Sequence, residues 1–207
     1  MAPSGTWRLF RKMCSVPQTM YGQHRCLLTP PSQESSKVIQ TLYKHVVGAS
    51  KNFDPKLYNW WQEKLLKILP TDQSQLPARR MLDSFDSAII PVASDTEFRE
   101  KYLGSSGNIR VGRLLEDMDI FSVHLVYKHV QNPLRPADMV VSPWMIVTGL
   151  VDQIDFTGVL RPDYDIRISG HVTWVGQSSA ETTLHLEQAF DGSWVKITEA
   201  KFVLIAR

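Results

Sequence analysis

The chain has 207 residues, 43% of them apolar and 21% charged, with a formal net charge of +2. That is enough for one domain of ordinary size with extensions, and no apolar run is long enough to span a bilayer. The first 33 residues hold Arg8, Arg11, Lys12 and Arg25 and no acid; setting those four aside leaves 19 bases against 21 acids, a balance that argues against a nucleic-acid binder.

This leader, with Trp7, Leu9 and Phe10 set among its charges, fits a mitochondrial presequence, and no apolar core of secretory type follows it. Both cysteines, Cys14 and Cys26, fall inside it. Its removal would leave no thiol, which excludes a disulfide scaffold, a cysteine nucleophile and a cysteine-ligated zinc site. Thr29-Pro30-Pro31-Ser32 marks the boundary. Residues 34–75 then read as a helical extension. Val38, Ile39, Leu42, Tyr43 and Val46 recur at helical spacing, and Asp54-Pro55 opens a second helix that stops at Pro70. Its Trp60 and Trp61 imply packing onto the main body, and Thr71 to Arg80 reads as a polar linker.

The main body is expected over 76–207. A strand is predicted at Met81–Val92, and Ser94 with Glu97 forms a capping box for a short helix ended by Gly104. Gly104-Ser-Ser-Gly107 lacks the lysine of a phosphate-binding loop and reads as a plain turn. A long helix runs from about Arg110 to His129, apolar nearly all round, until Asn132-Pro133 and Pro136 break it. Strands follow at about 143–156, 164–175, 180–190 and 194–206, joined by short turns as an antiparallel meander. In the second, Tyr164, Ile166, Ile168, Gly170, Val172 and Trp174 share one face. In the last, the parity changes near Glu199, which implies a bulge. An apolar helix of that length must be wrapped by something. The order therefore describes an α+β hot-dog fold, an antiparallel sheet curled around a long central helix.

No Gly-x-Ser-x-Gly elbow, His-Glu-x-x-His, Gly-x-Gly-x-x-Gly or cluster of metal ligands occurs, so neither a metal nor a cofactor is expected. His171 and His185 occupy polar strand positions and read as solvated. On the long helix, Arg113 and Asp117 are four apart and read as a pair on a solvated row, while Glu116 suits the helix start. Asp119 differs, because it falls in the row Leu115, Asp119, Ser122, Val126. Apolar surroundings would raise the pKa of such a carboxyl toward the range of a general base. The plain alternative is a structural acid paired with Ser122 or a backbone group, and the pattern alone leaves both open.

Gly112, Leu114, Leu115, Met118 and Asp119, closing with Tyr127-Lys128-His129, resemble the catalytic helix of the hot-dog acyl-CoA thioesterases. Leu76–Ser84, Glu97–Leu103, Val111–Asp119, Ile146–Asp155, Ser169–Gly176 and Phe202–Arg207 match the family in the same order; before Leu76 the match thins. The resemblance implies hydrolysis of a fatty acyl-CoA to free acid and coenzyme A. Asp119 carries over as general base or nucleophile, and Gly112 as a backbone N–H donor to the carbonyl oxygen at the helix start. Gly176, Ser178 and Ser179 match a loop that contacts coenzyme A, although a simple hairpin turn is an equal reading. The family carries two hot dogs in tandem, and an asparagine of the second faces the aspartate of the first. This sequence carries one such unit and no such asparagine. The expected partners are therefore acyl-CoA and a second hot-dog domain, supplied through a homo-oligomer, in the mitochondrial matrix. The alternative is a non-catalytic hot dog that binds acyl-CoA or a partner. His129, at the helix end, reads as a cap and not as the histidine of a hot-dog dehydratase.

Overall fold

The computed structural model describes residues 78–130 and 145–206 continuously, with isolated positions between 56 and 75. The presequence, most of the helical extension and the prolines after the long helix lie outside the described residues. Within the extension, Trp60 is 46% exposed, with the Lys64 ammonium 3.8 Å from its ring centre, so it does not pack inward as expected.

Five strands make one antiparallel sheet: β1 (Asp86–Ile90), β2 (Ile146–Phe156), β3 (Ile166–Val175), β4 (Ser179–Phe190) and β5 (Ser193–Ala206), in the order β1-β3-β4-β5-β2. The β4–β5 turn is Asp191-Gly192, both at positive φ (49° and 78°), the backbone that matches the twist of a tight hairpin. Among the described residues, β1 and β2 are the two edges. Over the described residues of 78–206 the α-helices are the single-turn α1 (Thr96–Arg99) and the long α2 (Val111–Val130). Helix α2 touches β2, β3, β4 and β5. Its Leu114, Met118, Phe121 and Leu125 recur at spacings of four, three and four, and share one core with Ile166, Ile168, Leu184, Leu186, Phe202 and Leu204 of the sheet. Each such burial contributes about 1.5–3 kcal/mol, which is what curls the sheet around the helix. The architecture is the α+β hot-dog fold.

Local departures from expectation have side-chain causes. Met81–Ser84 is a 3-10 turn, not the start of a strand. The Arg80 N–H donates to Asp83 Oδ2 (2.7 Å) and the Ser84 hydroxyl to the Met81 carbonyl (2.6 Å). Ser84 Oγ also accepts the Val172 N–H (2.9 Å), standing in for a ladder bond beyond the end of β1. Helix α1 is capped by Asp95, whose Oδ1 takes the Phe98 N–H (2.9 Å), and not by Ser94. A register shift between Val172 and Trp174 turns Trp174 outward to 50% exposure, away from the face expected for it. The bulge in β5 falls opposite Leu186/Glu187, between Lys196 and Thr198, close to the expected place. His171 and His185 are half-buried: His185 Nε2 lies 3.2 Å from Glu199 Oε2, and burial, aided by His185, pushes the His171 pKa down.

His129 does not cap α2. It is 2% exposed and neither ring nitrogen has a hydrogen-bond partner among the described residues. Burial pushes its pKa down from 6.5 to about 4. The unfolded chain therefore binds this proton between about pH 6.5 and 4 while the folded chain does not. Stability is complete above that window and falls as the pH drops through it, by up to about 3 kcal/mol. The expected result is that His129→Leu narrows the gap between urea midpoints at pH 5 and pH 7.5. An unchanged gap would contradict the buried, neutral imidazole.

Candidate active site

Asp119 sits in the third turn of α2, half-buried on the flank of the helix that meets β2. Its carboxylate Oδ1 accepts the hydroxyl of Thr148, two residues into β2. The Ser122 hydroxyl donates to the Asp119 backbone carbonyl (2.7 Å) and leaves the carboxylate untouched, so the structural pairing with Ser122 is not what holds the acid. Asp119 is thus a partly accessible carboxylate with one donor among the described residues, oriented by an edge strand, a suitable state for taking a proton from water.

Gly112 lies in the first turn of α2 and is exposed. The Arg110 carbonyl takes the N–H groups of Arg113 (3.0 Å) and Leu114 (3.4 Å). Those of Val111 and Gly112 have no acceptor among the described residues, and they carry the positive end of the helix dipole. A Cβ on Gly112 would meet nothing within 4 Å, so the chain's own packing does not require glycine there. Helix α2 runs without a break from Val111 to Val130. Gly112 and Asp119 are seven residues apart, which puts them on one face but about 10 Å apart along the axis. The helix presents both groups to one side without bringing them to a common point.

The turn 176–179 is built mainly by its own packing. The Gly176 N–H donates to the Ser179 carbonyl (2.8 Å) and the Ala206 N–H to the Ser178 carbonyl (3.0 Å). A Cβ on Gly176 would fall 2.4 Å from Cη2 of Trp174, so a larger residue there would have to displace the half-exposed indole. The turn nevertheless lies at the acid's end of the sheet. Thr148 pairs with Leu204, and Leu204 with Ala180, in one row across β2, β5 and β4. Two strand steps separate the acid's anchor from the first residue after the turn, about 10 Å.

Asp117 reverses its expectation. It is wholly buried, not solvated. The Tyr102 hydroxyl donates to its Oδ2 at 2.6 Å, and Arg113 Nη2 stands 3.4 Å from its Oδ1. Burial pushes its pKa up to about 8. The spacing to Arg113 gave no sign of this, because the decisive partner, Tyr102, arrives from a different segment. On the next turns of the helix, His124 Nε2 (3.0 Å) and Lys128 Nζ (3.3 Å) both reach Asp86 Oδ2, tying α2 to β1.

No protein-family model matches the chain. In sequence it is similar to mitochondrial acyl-coenzyme A thioesterase 9 of Bos taurus, 36% identical over 203 residues, which is 95% of this chain and 45% of that protein. The corresponding Homo sapiens protein is 40% identical over 166 residues, covering 79% of this chain and 37% of its own. A mitochondrial acyl-coenzyme A thioesterase 4 of Humulus lupulus is 34% identical over 142 residues, 67% of this chain and 26% of that protein. The chain spans less than half the length of these relatives, and the similarity to the bovine protein extends upstream of Leu76. Among solved structures, an acyl-CoA hydrolase from Staphylococcus aureus in complex with butyryl coenzyme A, coenzyme A and coenzyme A disulfide shares the fold. Its TM-score is 0.50 at 15% identity, over 63% of this chain and 70% of that one.

Proposed function

We propose that this chain is the hot-dog unit (76–207) of an acyl-CoA thioesterase, which hydrolyses fatty acyl-CoA to a free acid and coenzyme A. The observation that carries the reading is the Asp119 carboxylate, half-accessible and aimed by Thr148 along edge strand β2. In the reaction, Asp119 takes a proton from water and the hydroxide adds to the thioester carbon. N–H groups at a helix start hold the oxyanion; the C–S bond then breaks, and the coenzyme A thiolate takes up the proton. Gly176, Ser178 and Ser179, at the same end of the sheet, offer the coenzyme A moiety its nearest turn. Residues 1–33 serve as presequence and 34–75 as a helical extension, in keeping with relatives named as mitochondrial; the matrix is the expected compartment.

A second hot-dog domain completes the site. Asp119 reaches the thioester carbon through one water, and about 10 Å of helix separates it from the Gly112 N–H. A helix start on the mate is the donor set that faces this acid, and the reverse. Strand β2 suits such a mate: it is an edge of 11 residues whose Leu150, Val151 and Phe156 are each more than 40% exposed.

The test is hydrolysis across a series of acyl-CoA lengths, with a mass measurement in solution, on the unaltered protein and on Gly112→Ala. Exposed alanine is the better helix former by about 1 kcal/mol, so stability should rise slightly. Turnover should fall by about tenfold or more, because the methyl group enters the space the carbonyl must occupy. Unimpaired turnover in Gly112→Ala removes the helix start from the site. Absence of hydrolysis with retained acyl-CoA binding would favour a non-catalytic hot dog.

A further inference from the structure

Tyr102 and Asp117 are a buried polar pair that the hydrolytic step does not use, and both are 0% exposed. They hold the entry to α2 at two points. The Tyr102 carbonyl accepts the N–H of Arg110, the residue before the helix, at 2.7 Å, and its hydroxyl donates to Asp117 Oδ2 in the second turn at 2.6 Å. The loop between them is closed on itself: the Gly104 N–H donates to the Asn108 carbonyl and the Gly107 N–H to the Gly104 carbonyl, both at 2.9 Å, and Leu103 bridges Ile109. Tyr102 is fixed in turn by its N–H to the Arg99 carbonyl (2.8 Å), by the Phe98 ring at 5.1 Å and by the Arg113 guanidinium at 5.7 Å. A core selected for packing alone would place an apolar residue at 117, since burying a carboxyl is costly even when it is bonded. What the pair adds is direction: the angle at which the first N–H groups of α2 leave the helix.

We propose that Tyr102 and Asp117 are positioning residues, aiming the N–H groups of Val111 and Gly112 at the oxyanion without touching substrate. This assignment rests on the thioesterase reading above. A misplacement of about 1 Å at such a donor can cost on the order of 100-fold in rate while substrate still binds. The effect is therefore expected in kcat and not in KM.

The experiment uses the whole protein and the double variant Tyr102→Phe/Asp117→Leu, which removes both ends of the buried hydrogen bond while Arg113 keeps its ion pair with Glu116. A structural role alone would leave kcat per folded molecule unmoved. The expected result is a folded protein with kcat lower by about 30-fold and KM within about twofold. Asp117→Asn, which retains an oxygen for the Tyr102 hydroxyl, should keep kcat within about threefold of the unaltered protein. Amide exchange of Arg110, Arg113 and Leu114 should rise by about tenfold in the double variant, while Leu125 and Val126 stay protected. A folded double variant with normal kcat and exchange overturns the proposal. A double variant that does not fold makes the pair a folding requirement and overturns it too. If the unaltered protein hydrolyses no acyl-CoA, the thioesterase reading fails, and the exchange data still decide the positioning role on their own.

Discussion

Asp119→Asn should lower the turnover of acyl-CoA by about 10³-fold while leaving the thermal midpoint within about 2 °C of the unaltered protein. The amide keeps the shape of the carboxylate and still accepts the Thr148 hydroxyl through its oxygen. What it loses is the capacity to take a proton from water. Because the side chain is half-accessible, its new amide N–H groups can be solvated, and the fold has no reason to weaken. The measurement is steady-state hydrolysis beside a melting curve. Loss of both activity and midpoint would show that Asp119 is structural; retention of both would remove it from the chemistry. Thr148→Val gives the complementary reading. Freed of its donor, the carboxylate should keep its proton-accepting role in poorer geometry, with a milder loss.

The largest stability effect should come from the outer face of the sheet. Arg167 and Glu187, paired on neighbouring strands β3 and β4, are 8% and 4% exposed. Arg167 Nε donates to Glu187 Oε2 at 2.7 Å, the Ser169 hydroxyl donates to the same oxygen at 3.1 Å, and the guanidinium lies 4.3 Å from the Trp194 ring centre. Glu187→Leu strands a buried guanidinium without its counter-charge, a loss of about 3–5 kcal/mol and roughly 10 °C in melting temperature. Arg167→Met added to Glu187→Leu should recover most of that loss, because the uncompensated charge is gone. A single variant that melts within about 2 °C of the unaltered protein would show that water reaches the pair.

Much of the fold was legible because the pattern and the structure share a cause. The long helix followed from apolar residues that must be wrapped, and it appears within a residue of its expected limits. The four later strands followed from alternation, but not all of the expected meander: only β3, β4 and β5 run as consecutive hairpins, while β2 crosses over to pair with β5. Where reading failed, the deciding partner was distant in sequence. Ser84 leaves the strand pattern because its hydroxyl replaces a ladder bond to Val172, 88 residues on. Trp174 turns outward because of a bulge that two apolar residues at the same spacing conceal.

The site divides the same way. Asp119 was conspicuous as an acid on an apolar row, and it does meet the sheet. Its holder, Thr148, lies 29 residues away on an edge strand, and no spacing rule connects them. Asp117 was hidden by its neighbour Arg113, since a four-residue spacing of opposite charges usually marks a surface. The apolar row pointed to an acid that is only half-buried, and the charge pair concealed the one that is wholly buried, because the pattern does not record which acid a distant hydroxyl reaches.

The most direct test is the structure of the protein with its mate and an acyl-CoA analogue that has a methylene in place of the thioester sulfur. The Asp119 carboxylate should lie within about 4 Å of the carbon standing for the thioester carbon, or one water away from it, with the N–H groups of a helix start on the opposite side. An analogue seated more than about 8 Å from Asp119, with that carboxylate facing bulk water, would contradict the assignment of the base.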